Sequence, residues 1–201
     1  MSLPSLTVEE FDEYLDSIRQ HYLVRAEALR DGRALPNQQV GRFILPSELT
    51  LTRDALRDQL PQPLKDVLKN YAEEPTVRDM KTYGEEISAW ASAAHDGEMS
   101  SDEYGRRLDG LADAIITRSF TETQIDLTTN LRTIAYQHPD WQQLIINISN
   151  EEFQYLGETW KKVHDFIVNT VKSYNDWVGK IIEWFAAAIR DVENRFAKMG
   201  I

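Results

Sequence analysis

Apolar side chains recur at helical spacing along nearly the whole chain and predict an all-α protein. Phe11, Tyr14, Leu15, Ile18, Tyr22, Ala26 and Leu29 follow the rhythm of one helix face. A first helix is therefore expected from Val8 to Leu29 or Arg30, with Gly32 ending it. Residues 32–46 hold two glycines and two prolines and read as a linker, within which 43–45 (FIL) can dock on the core. Two short helices come next, Leu51–Leu60, stopped by the 61–63 PQP, and Leu64–Glu74, stopped by Pro75. Further helices are expected at Val77–Ala94, 101–119 and 122–137, and Pro139 can open a short one. Only 48–52 (ELTLT) alternates like a strand, and it has no alternating partner nearby.

Four helix starts carry a capping box flanked by a hydrophobic pair: Thr7 with Glu10, Ser100 with Glu103, Thr121 with Gln124, and Ser149 with Glu152. In each, the hydroxyl can accept the free N–H of the third helical residue while the acid or amide reaches back to the cap.

From Glu151 nothing stops a helix until Gly200. One amphipathic helix over about 151–198 is expected, roughly 70 Å long at 1.5 Å rise per residue. Between Val163 and Val192 its apolar side chains fall within an arc of roughly 160°, apart from Val168 outside it and Ile182 at the border of the two faces, with Asp165, Lys172, Asp176, Lys180, Glu183, Arg190 and Asp191 opposite. The stretch Asp176–Val192, DWVGKIIEWFAAAIRDV, is too often interrupted by charge for a membrane span. Its polar face balances acids and bases, unlike the basic face of a lipid-surface helix. Packing against protein is the better reading. Such a wide arc suits a bundle of about six to eight helices. The organisation expected is an N-terminal helix (1–31), the linker (32–46) and the bundle with its long helix (47–201), as one domain. If the long helix overhangs the shorter ones, its apolar side must meet a second copy or another protein. Phe166, Tyr174, Trp177, Ile181, Trp184 and Phe185 are the candidate partner-binding residues, with the tryptophans as natural anchors.

Composition narrows the function. The net charge of −11 opposes binding to nucleic-acid phosphates and to anionic lipid, and it is compatible with a basic protein partner. Absence of cysteine removes disulfides, thiolate metal sites and cysteine nucleophiles together. The start MSLPSLTVEEF lacks a basic region followed by an apolar run. The expected location is the cytoplasm, or export without a classical signal peptide.

Candidate chemistry is sparse. Of His21, His95, His138 and His164 only His95 has an acid three or four positions away, Glu98 beyond Gly97, so the helical metal spacings ExxH and HExxH are absent. The 105–110 GRRLDG lacks the Lys-Ser/Thr of a phosphate loop. The 96–104 DGEMSSDEY resembles the second half of a calcium loop, but Ser92 and Ala94 stand where the first ligands belong, so it reads as a capped corner. The acid pairs at 9/10, 73/74, 85/86 and 151/152 read as solvated faces. No catalytic, cofactor-binding or metal-ligating residue is expected. The function expected is a non-catalytic helical module for protein interaction or assembly, by self-association or partner binding. The alternative is a secreted bacterial toxin, effector or translocator component acting at a host membrane or partner.

Overall fold

The computed structural model describes residues 6–33, 43–169 and 178–201. They form an all-α bundle with no strand among them, as the apolar periodicity predicts. Helix α1 (Val8–Arg30) begins at the Thr7 capping box and ends at Gly32, whose φ of 62° lets Arg33 N–H reach the Ala28 carbonyl. A 3-10 turn (Ser47–Leu49) leads to α2 (Arg53–Gln59), capped by Thr52, and then to α3 (Gln62–Leu68). The remaining helices are α4 (Glu74–His95), α5 (Ser101–Ala114), α6 (Thr121–Gln137), α7 (Gln142–Asn169) and α8 (Val178–Lys198). Their buried side chains join one core running from Phe11 on α1 to Phe196 on α8.

Several expected helix boundaries are not boundaries. Pro75 does not stop the chain; a π-helical turn, Lys69–Glu73, joins α3 to α4. Its wider turn accommodates a residue that has no N–H to give and whose ring crowds the preceding turn. A second π-helical turn, Ile115–Phe120, joins α5 to α6. Thr121 is therefore not a cap, and its hydroxyl donates back to the Ile116 carbonyl at 2.9 Å. Ser149 is likewise inside α7, its hydroxyl donating to the Ile145 carbonyl at 2.7 Å. The boxes at Thr7 and Ser100 do start helices. Local sequence offers a serine or threonine either role, and a side chain whose backbone is already helical bonds the carbonyl behind it.

The amphipathic C-terminal region differs in one respect from a single rod over 151–198. Two helices carry it, and they lie antiparallel: Arg195 meets Glu152, Phe196 meets Tyr155, and Trp184 meets Phe166. In a continuous helix, residues 152 and 195 would stand about 65 Å apart. Periodicity reports which face is apolar and is silent about direction. A hairpin lets the two apolar faces cover each other and the bundle, whereas a rod would leave much of its stripe bare. Helix α8 also packs along α4, where Gly84 admits the Phe185 ring: a Cβ there would lie 3.0 Å from Phe185 Cγ.

The expected linker is only partly described, because 34–42 lie outside the described residues. Residues 43–51 are seated on α7 by a row of side-chain amides. Asn147 donates to the Leu49 carbonyl at 2.6 Å and accepts from Leu51 N–H at 2.9 Å. Gln143 donates to the Glu48 carbonyl at 3.2 Å, and Asn150 to the Phe43 carbonyl at 3.2 Å. The Tyr22 hydroxyl joins the row, donating to Asn150 Oδ1 at 2.9 Å and accepting from Phe43 N–H at 3.2 Å. The 43–45 FIL docks in part: Leu45 is buried, while Ile44 is 88% exposed.

Candidate functional site

Two features of the α7–α8 hairpin are candidates, an aromatic plate on its flank and a polar pocket where its outer ends meet α2. The plate contains two of the six residues singled out from sequence. Phe166 on α7 and Trp184 on α8 lie parallel, ring centroids 4.1 Å apart with an interplanar angle of 1°, and both remain half-buried. Phe185 meets both edge-on, at 6.1 Å and 5.2 Å. Phe185 itself and Ile181 are each 2% exposed and belong to the core rather than to an open surface. Their apolar arc faces α4, so the bundle has already used them. Tyr174 and Trp177 lie outside the described residues. Beside the plate a shallow groove of about 150 Å³ runs between Lys162 and Val163 on α7 and Ala187 and Ala188 on α8. Ile182, at the border of the two faces in the sequence, is 54% exposed.

The pocket was not foreseen. It has a volume of about 400 Å³ and lies between α2, the first half of α7 and the end of α8. At its floor Glu152 is fully buried, and its Oε1 accepts from Arg195 Nη2 at 2.6 Å. The Arg195 guanidinium lies over the Tyr155 ring, 4.2 Å from the centroid, a cation–π contact that helps hold it in place. Arg53 from α2 donates to Glu151 Oε2 at 3.3 Å across one wall. Burial pushes the Glu152 carboxyl above its ordinary range, with the attraction of Arg195 acting against it. Burial likewise pushes the Tyr155 phenol up to about 12.

Reading Glu151 and Glu152 as a solvated pair was therefore incorrect, since both are buried. The misplaced helix start at Ser149 is the cause. Once α7 is taken to begin at Gln142, Glu152 falls between Ile148 and Leu156, at four-residue spacings on the apolar face. An acid in that register signals a buried partner, and Arg195 supplies it.

Other expectations concern absent features. Among the described residues no group of three or more His, Cys, Asp or Glu is placed to hold a metal ion. Nor is any helix among them long and apolar enough to cross a membrane. The 96–104 corner is built on Gly97, at φ 75°, and on Ser100, whose hydroxyl accepts from Glu103 N–H at 3.1 Å. Set beside protein-family models, curated proteins and solved structures, the chain finds no significant match, so its function is argued from its own geometry.

Proposed function

We propose that this chain is a non-catalytic helical interaction module that docks a basic protein on the Phe166–Trp184 plate. One observation carries the reading: two large rings lie face to face on the flank of the hairpin and stay partly open to solvent. A tryptophan held rigid by a stacked neighbour loses little side-chain freedom on binding and offers a large apolar area, which is why tryptophan dominates binding hot spots. Alanines 187 and 188 keep the adjoining groove shallow and open to a partner side chain. Charge selects the occupant. A chain of net charge −11 repels a second copy of itself and attracts a basic surface, which speeds encounter at low salt.

The test has two arms. Light scattering of the full chain at low and physiological salt is expected to give the monomer mass of 23.2 kDa. A dimer abolished by Trp184→Ala would assign the plate to self-association and overturn the basic-partner reading. Proteins retained from the source lysate by the immobilised chain are then identified, purified and titrated singly. The expected partner is basic, binds more weakly as salt rises, and loses about tenfold or more in affinity with Trp184→Ala. An acidic partner, or binding indifferent to Trp184, would refute the reading.

A further inference from the structure

We propose that the pocket between α2, α7 and α8 binds a small zwitterion of the amino-acid type, its carboxylate held by Arg195 and Lys198 and its ammonium by Asp191. All three side chains line the pocket, and steps of four and three residues put them in one stripe along α8. Neighbours so spaced on a helix face stand about 5–6 Å apart at Cβ. Along the stripe the charges run acid, base, base. An acid four residues before an arginine ordinarily pairs with it, but here that pair does not form. Arg195 turns instead to Glu152, through Nη2 at 2.6 Å, and lies on the Tyr155 ring. Asp191 and Lys198 are therefore left exposed, with neither an ion pair nor a hydrogen bond among the described residues.

Arg195 itself keeps one end open. Its Nε is shut off from solvent and its Nη2 is given to Glu152, but Nη1 is neither closed nor bonded among the described residues, and the side chain stays 21% exposed. A guanidinium already fixed on two sides loses little freedom when an anion meets Nη1. Lys198, one turn further on, brings a second cation to the same carboxylate. The remaining charges of the lining are engaged with one another: Arg53 with Glu151 at 3.3 Å, and Arg57 with Asp58 at 3.0 Å and Asp54 at 3.8 Å. A simple anion would lie beside Asp191, and a simple cation beside Arg195 and Lys198, whereas a molecule carrying both signs answers all three. Tyr155 and Met199 are partly open and offer apolar contact to its side chain. The volume of about 400 Å³ falls within the roughly 300–1,000 Å³ of small-molecule sites.

Titration calorimetry and NMR with the full chain test the proposal. The probes are leucine, N-acetylleucine, which lacks the cation, and leucinamide, which lacks the anion. Leucine is expected to bind in the millimolar range or tighter and to shift the backbone amides of 191–199 saturably, and each analogue to bind about tenfold more weakly. Asp191→Asn and Lys198→Met alter exposed side chains, so both variants should keep the parent's thermal midpoint. Each is expected to weaken leucine about tenfold. Asp191→Asn should also narrow the gap between leucine and N-acetylleucine, and Lys198→Met the gap between leucine and leucinamide, which a merely structural role would not move. Three results would overturn the proposal. One is the absence of any saturable shift with leucine. Another is an analogue that binds as tightly as leucine, which would make the pocket a site for a single charge. The third is leucine binding that neither substitution changes.

Discussion

The segment 43–51 and helix α8 both close against α7, but different forces seat them. The segment is held by amide side chains at Gln143, Asn147 and Asn150 that bond its backbone at four residues. Helix α8 is held by rings, Phe185 in the notch at Gly84 and Trp184 on Phe166, with one buried ion pair at its far end. An amide ladder fixes position, because each bond has a direction and a reach. Its net contribution is about 1 kcal/mol per bond, while leaving a buried partner unsatisfied costs more. Ring packing contributes more free energy and specifies less, since an apolar surface accepts any neighbour of suitable shape. The contrast predicts that α8 is the costlier seat to damage and that the 43–51 segment is the one whose damage stays local.

Phe185→Ala should show the largest effect. The ring is buried against α4 at Gly84. Its removal leaves a cavity and is expected to cost about 3–5 kcal/mol in urea unfolding. A loss near zero would mean that α8 is not held by this notch, and the comparison would fail on that side.

Asn147→Ala should come next. The side chain is fully buried and serves Leu49, Leu51 and the Gln143 carbonyl together. Stranding these backbone groups is expected to cost about 2–3 kcal/mol. Proteolysis sharpens the prediction: cleavage within 43–51 should appear under conditions in which the rest of the chain stays intact. Asn147→Asp should cost at least as much as alanine near neutral pH, since a buried carboxylate would face the Leu49 and Gln143 carbonyls to which the amide now donates. Uniform cleavage along the chain would show that the segment and the bundle unfold as one.

The same contrast explains what the sequence discloses. Side chains such as Phe11, Leu15 and Ile18 are read correctly as the buried face of α1, because burial of carbon follows helical period. The apolar arc of the C-terminal region is equally legible, and it places Ile181 and Phe185 inward. What period cannot carry is direction, so one rod and two antiparallel helices look alike. Nor can it carry polar burial. Gln143, Asn147 and Asn150 resemble surface residues until the backbone they bond is in place. Glu152 resembles a cap residue until Arg195 arrives from forty-three positions along the chain. Pro75 and Thr121 mislead for a related reason: a π-helical turn carries the helix through a boundary signal, a stop at Pro75 and a start at Thr121, that short-range rules treat as final. Of the candidate site, the rings at 166 and 184 were legible, and the pocket, assembled from three separated segments, was not.

The smallest expected effect is a dependence on pH that belongs to the α8 seat alone. Burial pushes the Glu73 carboxyl above its ordinary value of 4.5, Lys69 acts against this, and Glu193 on α8 and the neighbouring Glu74 add to it. Glu152, at the other contact of α8, is raised by its own burial. A carboxyl raised on folding binds its proton more tightly in the native state than in the unfolded one. Its contribution to stability is fully present below 4.5 and is lost as pH rises through the folded value. Glu10, Asp31 and Glu103 are shifted the other way by hydrogen bonds, but they lie at the surface, where solvent screens them. Urea unfolding is therefore expected to show stability rising as pH falls from about 8 toward about 5. Glu73→Gln should flatten part of that slope and be the more stable protein at the alkaline end, because it removes a carboxylate from among Glu74 and Glu193. The amide row under 43–51 has no titratable group among Gln143, Asn147 and Asn150, so the Asn147→Ala penalty should be the same at both ends of the range. A Glu73→Gln profile parallel to the parent's would remove Glu73 from the account, and an Asn147→Ala penalty that changes with pH would show that the two seats are coupled rather than separate.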